Sequence, residues 1–273
     1  MSRSFDSRPR PPAVLVFAGL DPSNGAGLGA DLEAIRAGGG WALSVPTALT
    51  VQDTHDVARV VPVDPGYLLE AALRISADVP VAAVKVGLLS SLGTLEALLS
   101  FLDLHPGLPL VVDPVFKAGG GSELSGQALI AACRRRLLPR ATITTPNRCE
   151  LARLAGEYDD DVSRAMALCA EGPAVLVTGT DPLPGETAGE TIEHVLHRAG
   201  SFPLRWQWPR LPGRYHGSGC TLASRLAVAL ATGESLERAC EIAQRFTWDA
   251  LAASHALGGG QRLPERWPAR RAP

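Results

Sequence analysis

The sequence predicts an α/β fold, a three-layer and doubly wound sheet that is mostly parallel. Three observations predict it. Short, wholly apolar runs recur along the chain and close on Gly or Asp, as strands buried on both faces do. Segments with helical spacing alternate with these runs. The polar motifs fall just after the apolar runs, at Asp21, Asp113, Asn147 and Thr178, where ligands sit in open α/β sheets.

The elements follow in order. The run 13–19, Ala-Val-Leu-Val-Phe-Ala-Gly, reads as the first strand. The loop Asp21-Pro22-Ser23-Asn24-Gly25-Ala26-Gly27 follows, then a helix over 28–37 that Gly38-Gly39-Gly40 ends. Strands are expected over 42–49 and 57–63, with the polar Gln52-Asp53-Thr54-His55 between them. Pro65 opens a helix to about Ser76, since a proline suits the first helical position. A strand over 81–86 closes on Gly87, a helix occupies 92–104, and a strand over 108–112 ends at Asp113-Pro114. A helix over 125–138 precedes a strand over 141–144, which ends at Thr145-Pro146-Asn147. A helix over 163–170 leads to a strand over 174–177 closing on Gly179. The more polar region 181–210 holds strands over 192–197 and 204–208. Helices over 221–230 and 236–254 complete the chain. No linker or repeat interrupts residues 13–257, which are assigned to one domain. Residues 1–12, rich in Arg, Ser and Pro, and residues 258–273, rich in Gly, Pro and Arg, are expected to be flexible tails.

Composition excludes several classes. The 273 residues carry a net charge of −2, with no basic block for nucleic acid. The five cysteines are odd in number, widely spread and lack a C-x-x-C pair, which argues against a disulfide framework and a structural zinc site. No apolar run reaches the ~18 residues of a membrane span, and the N-terminus lacks the apolar centre of a secretory signal. A soluble cytoplasmic protein is expected.

The candidate site gathers around Tyr215-His216-Gly217-Ser218-Gly219-Cys220-Thr221-Leu222. A glycine turn runs straight into a small-residue helix, whose first turn offers free N–H groups and partial positive charge to an anion. Gly217 and Gly219 allow close backbone approach. Cys220 stands where a helix dipole lowers a thiol pKa; the alternative is a Gly-rich turn with a packed cysteine. Asp113, at a strand tip, suits Mg²⁺ directly or through water, or a turn. Asn147 and Glu150 share a helix face, although by sequence alone a helix cap with a first-turn acid is the favoured reading. Gly25, Gly27 and Ala30 formally fit a G-x-G-x-x-A dinucleotide fingerprint. The turn is not tight, however, and no acidic residue stands at a strand end ~20 residues on. No G-x-x-x-x-G-K-[ST] is present. Cys133, Cys149, Cys169 and Cys240 read as packed thiols.

Taken together, the motifs resemble the bacterial hydroxymethylpyrimidine/phosphomethylpyrimidine kinases of the ribokinase-like superfamily. The resemblance runs from about Ala13 to about Ala252. Its marks are residues 18–27 with Ala30-Asp31-Leu32, Thr47-Ala48-Leu49 with Gln52, and Val84-Lys85-Val86-Gly87-Leu88-Leu89. Asp113-Pro114-Val115, Thr145-Pro146-Asn147 with Glu150, and His216-Gly217-Ser218-Gly219-Cys220-Thr221 continue it. The cysteine points to this branch, since most ribokinase-like sugar kinases carry aspartate there. The resemblance implies ATP- and Mg²⁺-dependent phosphorylation of 4-amino-5-hydroxymethyl-2-methylpyrimidine, then of its monophosphate, by a homodimer. By that analogy Gly19, Asp31, Gln52, Leu88 and Val115 line the pyrimidine pocket, and Asp113, Asn147 and Glu150 serve Mg²⁺ and phosphates. Gly217, Ser218 and Gly219 form the anion hole, and Cys220 accepts the substrate proton.

Two departures fall on the ATP side. The family's lysine after the late strand is replaced in Val175-Leu176-Val177-Thr178-Gly179-Thr180, where Thr178 can bond a phosphate but not neutralise it. The Ala-Lys-Ser-Gly after the Asp-Pro-Val motif becomes Phe116-Lys117-Ala118-Gly119, so Lys117 or Arg214 is the expected compensating cation. A pyridoxal-type kinase and a non-catalytic pyrimidine-binding protein remain as alternatives, with a dinucleotide oxidoreductase a distant fourth.

Overall fold

A computed structural model describes residues 9–116, 124, 126–179 and 189–267. Its centre is a nine-stranded sheet in the order β3-β2-β1-β4-β5-β6-β7-β8-β9. The strands are β1 (Ala13–Leu20), β2 (Trp41–Gln52), β3 (Val57–Pro62), β4 (Val81–Val86), β5 (Leu110–Val112), β6 (Ile143–Thr144), β7 (Ala174–Thr178), β8 (Thr191–His197) and β9 (Leu204–Pro209). From β2 to β7 the neighbours are parallel, while β3, β8 and β9 add antiparallel at the edges.

The alternating period of β1 explains the layers. Ala13, Leu15 and Phe17 enter one apolar cluster, and Val14, Val16 and Ala18 enter the other. The first cluster is closed by α2 (Pro65–Asp78), α3 (Leu92–Leu104), α4 (Gln127–Ala132), α5 (Arg148–Leu154) and α6 (Asp161–Ala170). The second is closed by α1 (Gly27–Ala37), α7 (Ser218–Ala231) and α8 (Leu236–Ala252). A strand buried on both faces needs an unbroken apolar run, and β1 has one. Chain order reverses between β1 and β4, which opens the crevice typical of a switch point.

Several expectations need correction. β2 runs on to Gln52 because β3 pairs with it, Gln52 facing Val57, so the polar end stays in the ladder. The helix expected over 125–138 is α-helical only to Ala132. It then widens into a π turn, Cys133–Leu137, and tightens at Leu138–Arg140, where Pro139 cannot donate to an α ladder. Residues 258–267, expected to be a flexible tail, pack against the body. His255 pairs with Leu263, Tyr215 pairs with Arg262, and Gln261 and Arg266 are buried. No helix among the described residues is long and apolar enough to cross a membrane.

Candidate active site

The carboxyl ends of β1, β5, β6 and β7 and the start of α7 surround one cleft of about 820 Å³. It is lined at one end by Gly19, Gln52, Leu88 and Val115. Asp113, Asn147, Glu150 and Thr178 line it further along, and the 217–220 turn forms its wall. Of the expected site residues, these all meet at the cleft. Lys117 lies outside the described residues.

Asp31 is a correction. Expected against the pyrimidine, it has no exposed surface and does not reach the cleft. Its Oδ1 accepts from Lys85 Nζ at 2.8 Å and from Ser224 Oγ at 2.6 Å. The pair lies beneath the first turns of α7, with Ser224 of that helix bonded to the same Asp31 oxygen. Burial alone would lower the Lys85 pKa; Asp31, Cys220 and Asp113 outweigh it and hold the ammonium charged.

The turn itself is fixed by backbone geometry. Gly217 caps α7 in the left-handed region, φ 71°, and a Cβ there would stand 2.0 Å from the Gly25 carbonyl oxygen. Only glycine fits so tight an approach. The β1–α1 loop therefore lies directly against the turn. His216 Nε2 bonds Asp21 Oδ2 at 2.8 Å, and Asp21 also accepts from the backbone N–H groups of Ser23 and Ala26. Burial raises the Asp21 pKa, yet His216 and those N–H groups prevail and hold it at about 2.

Cys220 differs from the expectation at rest. Burial pushes its thiol up to about 12, with Lys85 pulling down and Asp31 and Asp113 pushing up. The dipole argument loses because the thiol is nearly out of water and faces two carboxylates. Burial likewise lifts Asp113 to about 6, against the pull of Lys85 and the neighbouring Cys220 thiol. The resting site is a neutral thiol beside a carboxylate.

Asn147 and Glu150 form a reciprocal cap on α5. Asn147 Oδ1 accepts the Glu150 N–H at 2.8 Å, and Glu150 Oε2 accepts the Asn147 N–H at 2.9 Å. The cap reading and the cleft reading hold together, since both residues also line the cleft. For Mg²⁺ the donor set fits. Asp113 Oδ2 is buried without a hydrogen-bond partner, and Glu150 is a second hard oxygen donor. Among the described residues no three acidic, His or Cys side chains make a protein-only metal site. That agrees with an ion held by one or two carboxylates, water and substrate phosphates.

Sequence reasoning missed one wall. His194 Nδ1 and Trp208 Nε1 both bond Gln244 Oε1, at 3.0 and 3.1 Å, at the β8–β9 end of the cleft. Burial lowers the His194 pKa to about 4 and keeps the ring neutral. From the sequence Trp208 reads either as a residue that stacks on a ring or as an alternating edge-strand residue, and Gln244 lies about two turns inside α8.

The fold, with a glycine turn opening α7 at the carboxyl edge of the sheet, is that of the ribokinase-like kinases. The profile of the phosphomethylpyrimidine kinase family matches residues 21–264. The chain belongs to that family. It is 38% identical over 259 residues to the hydroxymethylpyrimidine/phosphomethylpyrimidine kinase of Streptomyces coelicolor, covering 92% of each chain. Longer multifunctional proteins of thiamine biosynthesis also match, the chain spanning 34–51% of their length. Among solved structures, the phosphomethylpyrimidine kinase of Clostridium difficile 630 is 29% identical with a TM-score of 0.74, covering 88% of this chain and 99% of that one. An ADP complex of Bacillus subtilis pyridoxal kinase is 25% identical with a TM-score of 0.82, covering 94% and 97%.

Proposed function

We propose that the cleft transfers the γ-phosphoryl group of ATP to the hydroxymethyl oxygen of 4-amino-5-hydroxymethyl-2-methylpyrimidine, and then to its monophosphate. The supporting observation is the meeting of the 217–220 turn, buried Asp113 and the Gln52, Leu88 and Val115 end in one cleft. The names of the relatives at 33–38% identity agree with it.

In this reading Gln52 both donates to and accepts from the aminopyrimidine edge. Gly19, Leu88 and Val115 enclose the ring, and the Leu88 carbonyl is held by the Thr47 hydroxyl. The ring sits so that its hydroxymethyl group faces Cys220. The backbone N–H groups of Gly217, Ser218 and Gly219 surround the oxygens of the transferring group, where charge stabilisation matters most. The thiolate form of Cys220, favoured by the neighbouring Lys85 ammonium, takes the hydroxyl proton as the new P–O bond forms and the bond to ADP breaks. Asn147 and Thr178 contact nucleotide phosphate, and Arg214, also in the cleft wall, supplies positive charge. Asp113 and Glu150 would hold Mg²⁺, which neutralises phosphate charge when bound.

A cytoplasmic homodimer belongs to this proposal. Leu49 and its cross-strand partner Val61 are both exposed near the sheet edge, as a pairing surface requires. The pyridoxal kinase reading draws on the neighbour with the TM-score of 0.82. Identification of the product by phosphorus NMR tests the proposal. A new phosphomonoester on the hydroxymethyl carbon supports it; phosphate released only as the inorganic ion contradicts it.

A further inference from the structure

We infer that Arg266 is a positioning residue for phosphoryl transfer, locking the anion-binding turn of α7 onto the β1–α1 loop. The inference rests on the reading of the 217–220 turn as the phosphoryl site. Arg266 stands two residues beyond the stretch that matches the family profile.

Its side chain is 1% exposed, and its guanidinium addresses acceptors on three elements. Nε donates to Thr221 Oγ1 at 2.7 Å, in the first turn of α7. Nη2 donates to the Gly25 carbonyl oxygen, and Nη1 donates to Asn24 O at 3.4 Å and Glu33 Oε2 at 3.2 Å. Thr221 passes the restraint on, because its hydroxyl donates to the Gly217 carbonyl at 2.7 Å. The Gly25 oxygen is also the atom against which Gly217 is packed. One guanidinium therefore holds both sides of the contact that sets the turn. A planar fork with five donors suits this task, and a lysine ammonium does not reproduce it.

The segment delivers Arg266 by a pinned route. Gln261 N donates to Thr54 O at 2.7 Å, and His216 N donates to Arg262 O at 2.9 Å. Arg262 N donates to Arg214 O at 2.8 Å. The strap thus runs from the β2–β3 turn, two residues from Gln52, to the anion turn. Without the guanidinium, Thr221 and Gly25 lose a buried donor and the turn gains freedom. Displacements of about 1 Å in a transfer site cost up to about 100-fold in rate.

Steady-state kinetics of Arg266→Met, Arg266→Lys and Gly219→Ala, each normalised to the folded fraction from a thermal melt, test this. Arg266→Met is expected to lower kcat about 10- to 100-fold, with the pyrimidine KM within about twofold of the wild type. Guanidinium chloride at tens of millimolar should restore part of that kcat and leave the wild type unimproved. Arg266→Lys should fall between the two. Wild-type kcat per folded Arg266→Met molecule overturns the inference. So does a loss shared between kcat and KM without guanidinium rescue. If the Met variant does not fold, the Lys variant decides: reduced kcat at unchanged KM supports the inference, and wild-type kcat overturns it. Gly219→Ala separates the two readings. Full turnover there sinks the anion-turn reading itself, while lost turnover there beside normal Arg266 variants sinks only the inference about Arg266.

Discussion

His216 Nε2 lies 2.8 Å from Asp21 Oδ2, joining residues 195 positions apart. The bond ties the end of β1 to the turn that opens α7, so it draws the two sides of the cleft together. Because the folded pKa of Asp21, about 2, lies below its ordinary 3.8, its stabilisation is present above about pH 4 and lost as pH falls through about 2. The shift corresponds to about 2 kcal/mol. Asp21→Asn should lose about that much at pH 7 and flatten the acid limb between pH 4 and 2. Urea midpoints across that range check it; an acid limb unchanged from wild type contradicts it.

The buried pair of Lys85 and Asp31 makes a second expectation. Lys85→Met leaves the Asp31 carboxylate alone in the core and should cost about 3–5 kcal/mol. Asp31→Asn combined with Lys85→Met removes both charges and should recover part of the loss. Denaturant unfolding of the single and double variants measures it, and a double variant no better than the single one contradicts the pairing.

Much of this fold was legible because β1 and the Ala174–Val177 stretch of β7 are short, unbroken apolar runs buried on both faces of the sheet. The polar groups at strand ends were legible for the same reason. The fate of Asp31 was not. Its motif points toward a ligand, but Lys85, 54 positions away, and Ser224, 193 away, capture it. Residues 258–267 were misread because Gly, Pro and Arg describe a tail by composition, whereas Arg266 and Gln261 earn their order from distant acceptors. The resting state of Cys220 also escaped the sequence, since burial beside Asp113 and Asp31 is a property of the folded site.

Cys220→Ala should lower kcat about 10²- to 10⁴-fold, the range for a lost proton acceptor. Pyrimidine binding by calorimetry should stay near normal, because Gln52, Leu88 and Val115 are untouched. Full activity in this variant would make Cys220 a packing residue.

Thr178 closes β7, is buried and lines the cleft where the family lysine is expected. Thr178→Lys should lower the ATP KM if the position faces phosphate, by restoring a charge that threonine cannot supply. An unchanged KM would show that another cation already fills the gap.

The most direct test of the central claim is a coupled ADP-release assay with Mg²⁺-ATP and three acceptors: hydroxymethylpyrimidine, its monophosphate and pyridoxal. The account predicts turnover with both pyrimidines, well above pyridoxal and above the Cys220→Ala control. Turnover with pyridoxal alone, or none from folded protein that still binds the pyrimidine, would contradict it.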